Sequence, residues 1–583
     1  MGLILPDRPP IASFDRSFFT GKEKFTAIGR GDLGGKAHGL ALMRDILESR
    51  LAEQFRPEIE INIPTLTVIT TDFFDLFMEQ NGLCDLALSN LRDDLIAGAF
   101  QKADLPAQLV GDLRALIAQV QTPLAIRSSS RLEDAMFEPF ASVYATKMIP
   151  NNQMSPDSRF NKLVEAVKFI YASTFFKDAK NYIRATKKTT ADEKMAVIIQ
   201  EVVGVRRGQR FYPHISGVAR SYNFYPLGHS KPSDGIIDLA LGLGKAIVDD
   251  GIAWSYSPAY PRANPPYNTL ADLLSQTQSE FWAINMGWPA EFNPIKETEY
   301  MMKFILGDAE KDGVLQFLAS TYRAQDDKIV YGIAEKGPRI IDFAPILKFD
   351  LLPLNAMLKE LLKLCEETLG RMVEVEFALT LDERRGKPAR FGFLQVRPMV
   401  VSSAQVGVSP EELTGENVLL ASESALGNGV LDSIRDIVYV KPESFNVHYS
   451  EVVASELEKL NHWLVTFDSP YLLIGFGRWG TSDPQAGIPV NFGQICGAKV
   501  IVESALPETS SMLSQGSHFF HNITSFRVFY FSLRTEDQYK IDWDWLNSQP
   551  AVEETDYARH VRLSSPLKIK VDGTTSRGVI RHD

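Results

Sequence analysis

The stretch VEVEFALTLDERRGKPARFGFLQVRPMV, residues 373–400, constrains this chain most. It reads as two strands joined by a polar turn. In the first strand Val373, Val375 and Phe377 alternate with Glu374 and Glu376. Asp382, Gly386 and Pro388 are turn formers. In the return strand Gly392, Leu394 and Val396 take one face, and Gln395 and Arg397 take the other. Strict alternation puts Phe391 and Phe393 on the face of Gln395 and Arg397. That predicts a polar patch with one apolar end, a cleft wall rather than open surface, although a lone alternating strand exposes such groups to water just as readily. Carboxylate and amide oxygens suit Mg²⁺, and guanidinium suits phosphate. The hairpin therefore carries the chemistry of a nucleoside triphosphate site.

The length of 583 residues predicts two to four domains. A net charge of -12 argues against nucleic acid as the main partner, while leaving a small anionic ligand open to local fields. Cys84, Cys365 and Cys496 are scattered and odd in number. They point to a reducing compartment, with neither a disulfide framework nor a zinc cluster. The N-terminal residues lack a signal-peptide pattern, and no apolar run is long enough to span a bilayer. The expected location is cytoplasmic, with no membrane partner.

Further signals are separately weak. Gly31, Gly34 and Gly35 precede residues at helical spacing, so Lys36 stands where a glycine turn enters a helix, a place suited to phosphate or simply to solvent. A short apolar strand from Pro123 to Ile126 delivers Arg127 into Ser128, Ser129 and Ser130, an oxyanion-binding pattern or a polar surface loop. MAVIIQEVV, residues 195–203, reads as a buried strand interrupted by Gln200 and Glu201. Helix is expected over 86–120 and 158–186. Residues 265–365 are expected to be mostly helical, with strands near 328–334 and 339–343. A linker is expected at 400–415, strands at 436–440, 471–475, 498–503 and 526–533, and a loose polar tail over 571–583.

Two C-terminal clusters stand out. One holds Gly475, Gly477, Arg478, Gly480 and Asp483 after an apolar strand, and such a turn with one Arg can bind an anion. The other holds His518, His521, Asn522 and Arg527. His521 reads as a packed residue, whereas His518 follows Gly516 and has a ring suited to proton transfer near neutrality. Arg478, His518 and Arg527 together suggest an acceptor site.

The order of these pieces is specific. LGGKAHGLALM, IPTLTVITTDFF, LAIRSSSRLEDAMFEPFASVYAT, MAVIIQEVV, SGVARSYNF, LGLGKAIVDDG, VEVEFAL and FLQVRPMV, from about residue 25 to 402, resemble the N-terminal nucleotide-binding region of the pyruvate phosphate dikinase and phosphoenolpyruvate synthase family. The resemblance implies an ATP-grasp fold with ATP and Mg²⁺ as ligands. Lys36, Arg127 and Arg397 would hold phosphates, Glu376 and Gln395 would hold Mg²⁺, and Gln200, Glu201 and Val203 would line the adenine pocket. Arg127 and Arg397, with Arg478 and His518, form the expected catalytic set. The sequence departs from the family at Phe140-Ala141-Ser142-Val143, where a glycine is usual, and at Lys245, where Glu is usual. After residue 402 neither a Thr-Ser-His phosphohistidine motif nor a phosphoenolpyruvate barrel is found, and about 180 residues are too few for such a barrel.

The expected architecture is α/β (α+β), an ATP-grasp region followed by a smaller α/β domain. The parts are 1–205, 206–402 with the metal and phosphate hairpin, and 403–583 as an acceptor or regulatory domain. The expected activity is ATP-dependent phosphotransfer to an unidentified acceptor. The alternatives are an ATP-binding sensor, or the nucleotide-binding component of a split dikinase whose phosphohistidine lies on a partner protein. Acceptor and oligomeric state stay open.

Overall fold

The computed structural model describes residues 11–583 apart from 17–23, 131–142, 186–192, 225, 227–228, 249–250, 265–269, 276, 288–289, 382–386, 400, 402–405, 482–484, 506–522, 524–527 and 536. Asp382, Gly386, Glu133, Asp134, Phe140, Ala141, Ser142, Asp483, His518, His521, Asn522 and Arg527 therefore lie outside the described residues.

The first six-stranded sheet runs, in spatial order, Ala12–Ser13, Phe25–Ile28, Leu66–Ile69, Met195–Glu201, Leu124–Ser130 and Thr146–Ile149. Its central strand is apolar on both faces because both faces are covered. Ala196 and Ile198 pack with Ala37 and Leu40 of the helix Gly34–Ile46, while Val197 and Ile199 pack with Phe73, Phe77 and the helix Pro156–Ser173. Ser128, Ser129 and Ser130 lie inside the buried strand Leu124–Ser130, not in a surface loop.

The second six-stranded sheet has the order Trp254–Tyr256, Ile236–Ala240, Ile215–Arg220, Val373–Thr380, Ala389–Pro398 and Ile59–Asn62. It is antiparallel except at its edge, where Ile59–Asn62 joins Ala389–Pro398 in parallel. The helix Leu354–Leu369 covers one face, with Leu358, Leu361 and Cys365 in the core.

The hairpin forms, but not with strict alternation. Phe377 pairs with Phe393, whereas Glu376 pairs with Gln395, so the ladder shifts at this point and Leu394 is the extra residue of a β-bulge. One extra residue inverts the alternation beyond it. Phe391 and Phe393 consequently join Val375, Phe377 and Val396 in the core, instead of sharing the face of Gln395 and Arg397.

Residues 86–120 form three helices, Cys84–Leu88, Asp93–Lys102 and Ala107–Gln119, rather than one. The second ends where Ala103 turns to extended ψ, and Pro106 stands at the N-cap of the third. The Asn81 amide binds the Asp104 backbone at the same break. Residues 265–365 are not mostly helical. They contain strands Glu280–Asn285, Met301–Ile305, Ala319–Arg323, Lys328–Tyr331 and Arg339–Ile341 in two small antiparallel sheets.

The C-terminal region centres on a seven-stranded sheet whose four parallel strands are Asp436–Val440, Tyr471–Phe476, Ala498–Ser504 and Phe529–Leu533. The helix Ser450–Thr466 makes the first crossover. The expected loose tail is instead the hairpin Lys568–Asp572 and Arg577–Arg581, with Ile569, Val571 and Ile580 buried. Its polar residues make the turn: the Asp572 carboxylate accepts from the Thr574 and Thr575 amides and the Thr575 hydroxyl. Within the expected linker, Val408 and Leu413 pack on Ala421 and Val579. Among the described residues no helix is long and apolar enough to cross a membrane.

His214 couples this fold to pH. Its Nδ1 accepts from the Leu381 amide at 3.2 Å, which holds the ring neutral. Burial, then Arg207 and Arg390, push its pKa down to about 4 from 6.5. The unfolded chain thus binds the extra proton first. The contribution is present above pH 6.5 and is lost as pH falls toward 4, about 3 kcal/mol in all. Urea unfolding of His214→Gln should show a shallower loss of stability over that window than the unmodified protein.

Candidate nucleotide-binding site

The two large sheets face each other across a cleft of about 280 Å³. Lys36, Arg127, Gln200, Glu201, Val203, Glu376, Gln395 and Arg397 all line it. The polar end is built from the bulged hairpin. Arg397, with 2% of its side chain exposed, donates through Nε to Glu374 and through Nη2 to Glu376, each at 2.7 Å. Glu374 also binds Arg220 at 2.6 Å, and Arg220 binds Asp238 at 2.7 Å. Burial opposes the Arg220 charge, but Glu374 and Asp238 outweigh it and hold its pKa above the ordinary value.

Arg127 reaches across from the first sheet. Its Nη1 donates to the Leu394 carbonyl at 2.9 Å and its Nη2 to Gln395 Oε1 at 2.7 Å. Glu376 Oε2 lies farther off, at 3.4 Å from Nη2. The bulge thus presents its own carbonyl to the guanidinium and brings Gln395 opposite Glu376. Lys36 is buried and donates from Nζ to Ser128 Oγ at 3.1 Å. Gly34, at φ +73°, is what permits this closeness: a Cβ there would sit 1.7 Å from the Ser129 carbonyl.

The other end is apolar. Met148, Val202, Leu243 and Met301 pack as one group on this side of the cleft. Glu201 accepts from the Thr122 hydroxyl through its carboxylate at 2.6 Å. Gln200 Nε2 is buried without a hydrogen-bond partner in the described structure. A buried orphan donor beside a cleft marks where a ligand acceptor fits.

The family model for the AMP/ATP-binding domain of pyruvate phosphate dikinase matches residues 31–417. The chain belongs to this family. No curated protein matches it. The match to this AMP/ATP-binding domain spans every cleft residue named above. Arg478 is separate from it. It begins the short strand Arg478–Trp479, just past the end of Tyr471–Phe476, and does not line this cleft.

The donor set fits Mg²⁺ in the manner of nucleotide sites, where one or two protein oxygens suffice and phosphates and water complete the shell. Glu376 and Gln395 are register partners with side chains in the cleft. Among the described residues no group of three or more His, Cys, Asp or Glu could hold a metal by itself.

Sequence reasoning missed three features. Glu374, legible only as one carboxylate of the hairpin, has both oxygens accepting from guanidiniums and a side chain only 1% exposed. Arg220, at the end of SGVAR, is its second partner, and the alternation of that strand was the available signal. Lys245 and Glu297 also line the cleft, and Glu297 comes from a stretch with no motif.

Proposed function

We propose that this protein is an ATP-dependent phosphotransferase acting on Mg·ATP. Arg127 carries the reading: one guanidinium joins strand Leu124–Ser130 to both the Leu394 carbonyl and Gln395 at the rim of the carboxylate patch. Lys36, Arg127 and Arg397 would bind the phosphates, offsetting charge where it develops on the transferred group. Glu376 and Gln395 would hold Mg²⁺, which would neutralise phosphate charge when bound. Gln200, Glu201 and Val203 would line the base pocket.

Residues 1–205 and 206–402 are read as the two ATP-grasp parts, and 403–583 as an acceptor or regulatory domain. Parallel sheets bind ligands beyond the carboxyl ends of their strands. Arg478 follows the carboxyl end of Tyr471–Phe476, and residue 518 follows the neighbouring strand Ala498–Ser504 in the chain. Arg478 would bind the acceptor's anionic group, with His518 as general base or transient phosphate carrier. The absence of an intramembrane helix among the described residues and the scattered thiols favour a cytoplasmic place.

Phosphorus NMR of ATP consumed with candidate acceptors tests this: AMP plus phosphate marks dikinase chemistry, and ADP marks a simple kinase. The second reading, an ATP sensor, draws on Glu376, whose two oxygens both face guanidiniums. It predicts binding without either product. Arg127→Ala should weaken ATP binding at least about tenfold by calorimetry, because a charge-assisted contact is worth roughly 1.5–3 kcal/mol. Unchanged affinity would remove Arg127 from the site.

A further inference from the structure

A second cavity, of about 900 Å³, opens where the C-terminal region meets the ATP-grasp region, and no residue lines both it and the nucleotide cleft. One wall is built from residues 89–93 and the start of the helix Lys177–Ala185. The other is the helix Ser450–Thr466, with Gly493 and Cys496 beside it. Direct contacts join the two walls. Lys177 pairs with Glu458 at 2.6 Å, the Asn491 amide donates to Asp178 at 2.8 Å, and the ring centroids of Tyr182 and Phe492 lie 5.9 Å apart. Asn461, almost fully buried, secures the second wall: its Nδ2 donates to the Gly493 carbonyl at 3.4 Å and its Oδ1 accepts from the Gly497 amide at 2.9 Å.

The lining is cationic. Arg92, Lys177, Lys180 and Lys459 line the cavity against only two carboxylates, Asp93 and Glu458. Both carboxylates are engaged by Lys177, Asp93 with its amide at 2.8 Å and Glu458 with its ammonium. Lys459 and His462 are exposed, and their side chains make no hydrogen bond or ion pair among the described residues. With Ser455 they stand in one row, at i, i+4 and i+7 of the helix. A surplus of positive charge along a concave wall favours an anion. The donors decide its kind. Arg92 is the lining's one planar fork, and it is turned to Asp94 through Nε at 3.1 Å and Nη2 at 2.8 Å, away from the bidentate grip that a carboxylate prefers. The other donors are ammonium, imidazole, hydroxyl and amide groups converging from two walls, which suits the several oxygens of a tetrahedral phosphate. The volume leaves room for a phosphorylated small molecule.

We infer that this junction cavity is a second ligand site, which takes a small phosphate-bearing anion and through it ties the C-terminal region to the ATP-grasp region. The site is independent of the nucleotide reading, since neither wall belongs to the cleft. The full chain, labelled with ¹³C at its nine histidines, tests it by NMR. The His462 ring signal is the one that His462→Gln removes. Inorganic phosphate and glycerol 3-phosphate, added at constant pH and ionic strength, should each shift that signal to saturation, whereas chloride should not. Tighter binding of the ester would support the site with a phosphorylated metabolite as occupant, and equal binding would support it with free phosphate. Lys459→Ala should weaken phosphate binding about fivefold or more, because the lost contact is charge-assisted but exposed. Lys177→Met, on the opposite wall and with a side chain 62% exposed, should weaken it as well. Arg127→Ala, in the cleft, should leave the His462 response unchanged. The absence of a saturable shift, an equal shift with chloride, or binding that survives Lys459→Ala would overturn the site. Loss of the response in Arg127→Ala would place its origin in the cleft and overturn the site too. Binding that survives Lys177→Met would overturn the tie between the walls.

Discussion

Glu374→Gln should destabilise the protein by about 3–5 kcal/mol, the cost of breaking a buried ionic network from one side. The network opposes three guanidiniums, Arg127, Arg220 and Arg397, to three carboxylates, Asp238, Glu374 and Glu376. Glu374 joins its two halves and is almost fully buried. The substitution keeps the side chain's shape and removes one negative charge, leaving three cations against two anions where water cannot screen them. The midpoint of urea unfolding should fall with the slope unchanged. A loss below about 1 kcal/mol would mean that Asp238 and Glu376 can neutralise the arginines unaided.

Glu376→Gln should do the reverse, sparing the fold and lowering turnover by roughly 10²–10³-fold, the usual cost of removing one charge-stabilising group from a reacting centre. Its side chain is 19% exposed at the cleft, and an amide oxygen can still accept from Arg397. The proposed Mg²⁺ ligation should suffer, because a hard cation favours carboxylate over amide oxygen. Half-maximal activity should then require more Mg²⁺, while urea unfolding stays near that of the unmodified protein. Full activity at limiting Mg²⁺ would exclude Glu376 as the ligand.

The polar lining of the cleft was legible because charged and amide residues are conspicuous within or beside apolar runs. Lys36, Arg127, Glu376, Gln395 and Arg397 could be named from their neighbours, and they line one cleft. Backbone irregularity was not legible. FGFLQVRP alternates whether or not Leu394 bulges, so the sequence placed Phe391 and Phe393 on the wrong face; only the pairing with Val373–Thr380 reveals the shift. The strands near 328–334 and 339–343 were legible and form as Lys328–Tyr331 and Arg339–Ile341, but Met301–Ile305 was missed because it exposes Met302 and Ile305, which blurs the two-residue period that marks a half-buried strand. The final hairpin was mistaken for a tail because Asp572, Thr574 and Thr575 look solvent-loving, whereas Asp572 is spent on its own turn. Arg220 was passed over because its partners Asp238 and Glu374 are distant in sequence.

The strand Ile59–Asn62 has a consequence for how the chain is made. It emerges early, yet its pairing partner, Ala389 to Gly392, lies far downstream. During synthesis the ribosome must deliver most of the ATP-grasp region before that edge can close. Until then Ile59 and Ile61, buried in the finished protein, lack their partner strand. A nascent chain stalled anywhere between residues 70 and 385 would display an unpaired apolar edge, the kind of surface that chaperones bind and that aggregates recruit. The same weave means that a gene cut near residue 205 yields two fragments, neither of which holds a complete second sheet. The fragments would regain it only by associating, so the cut would turn a folding step into a bimolecular one.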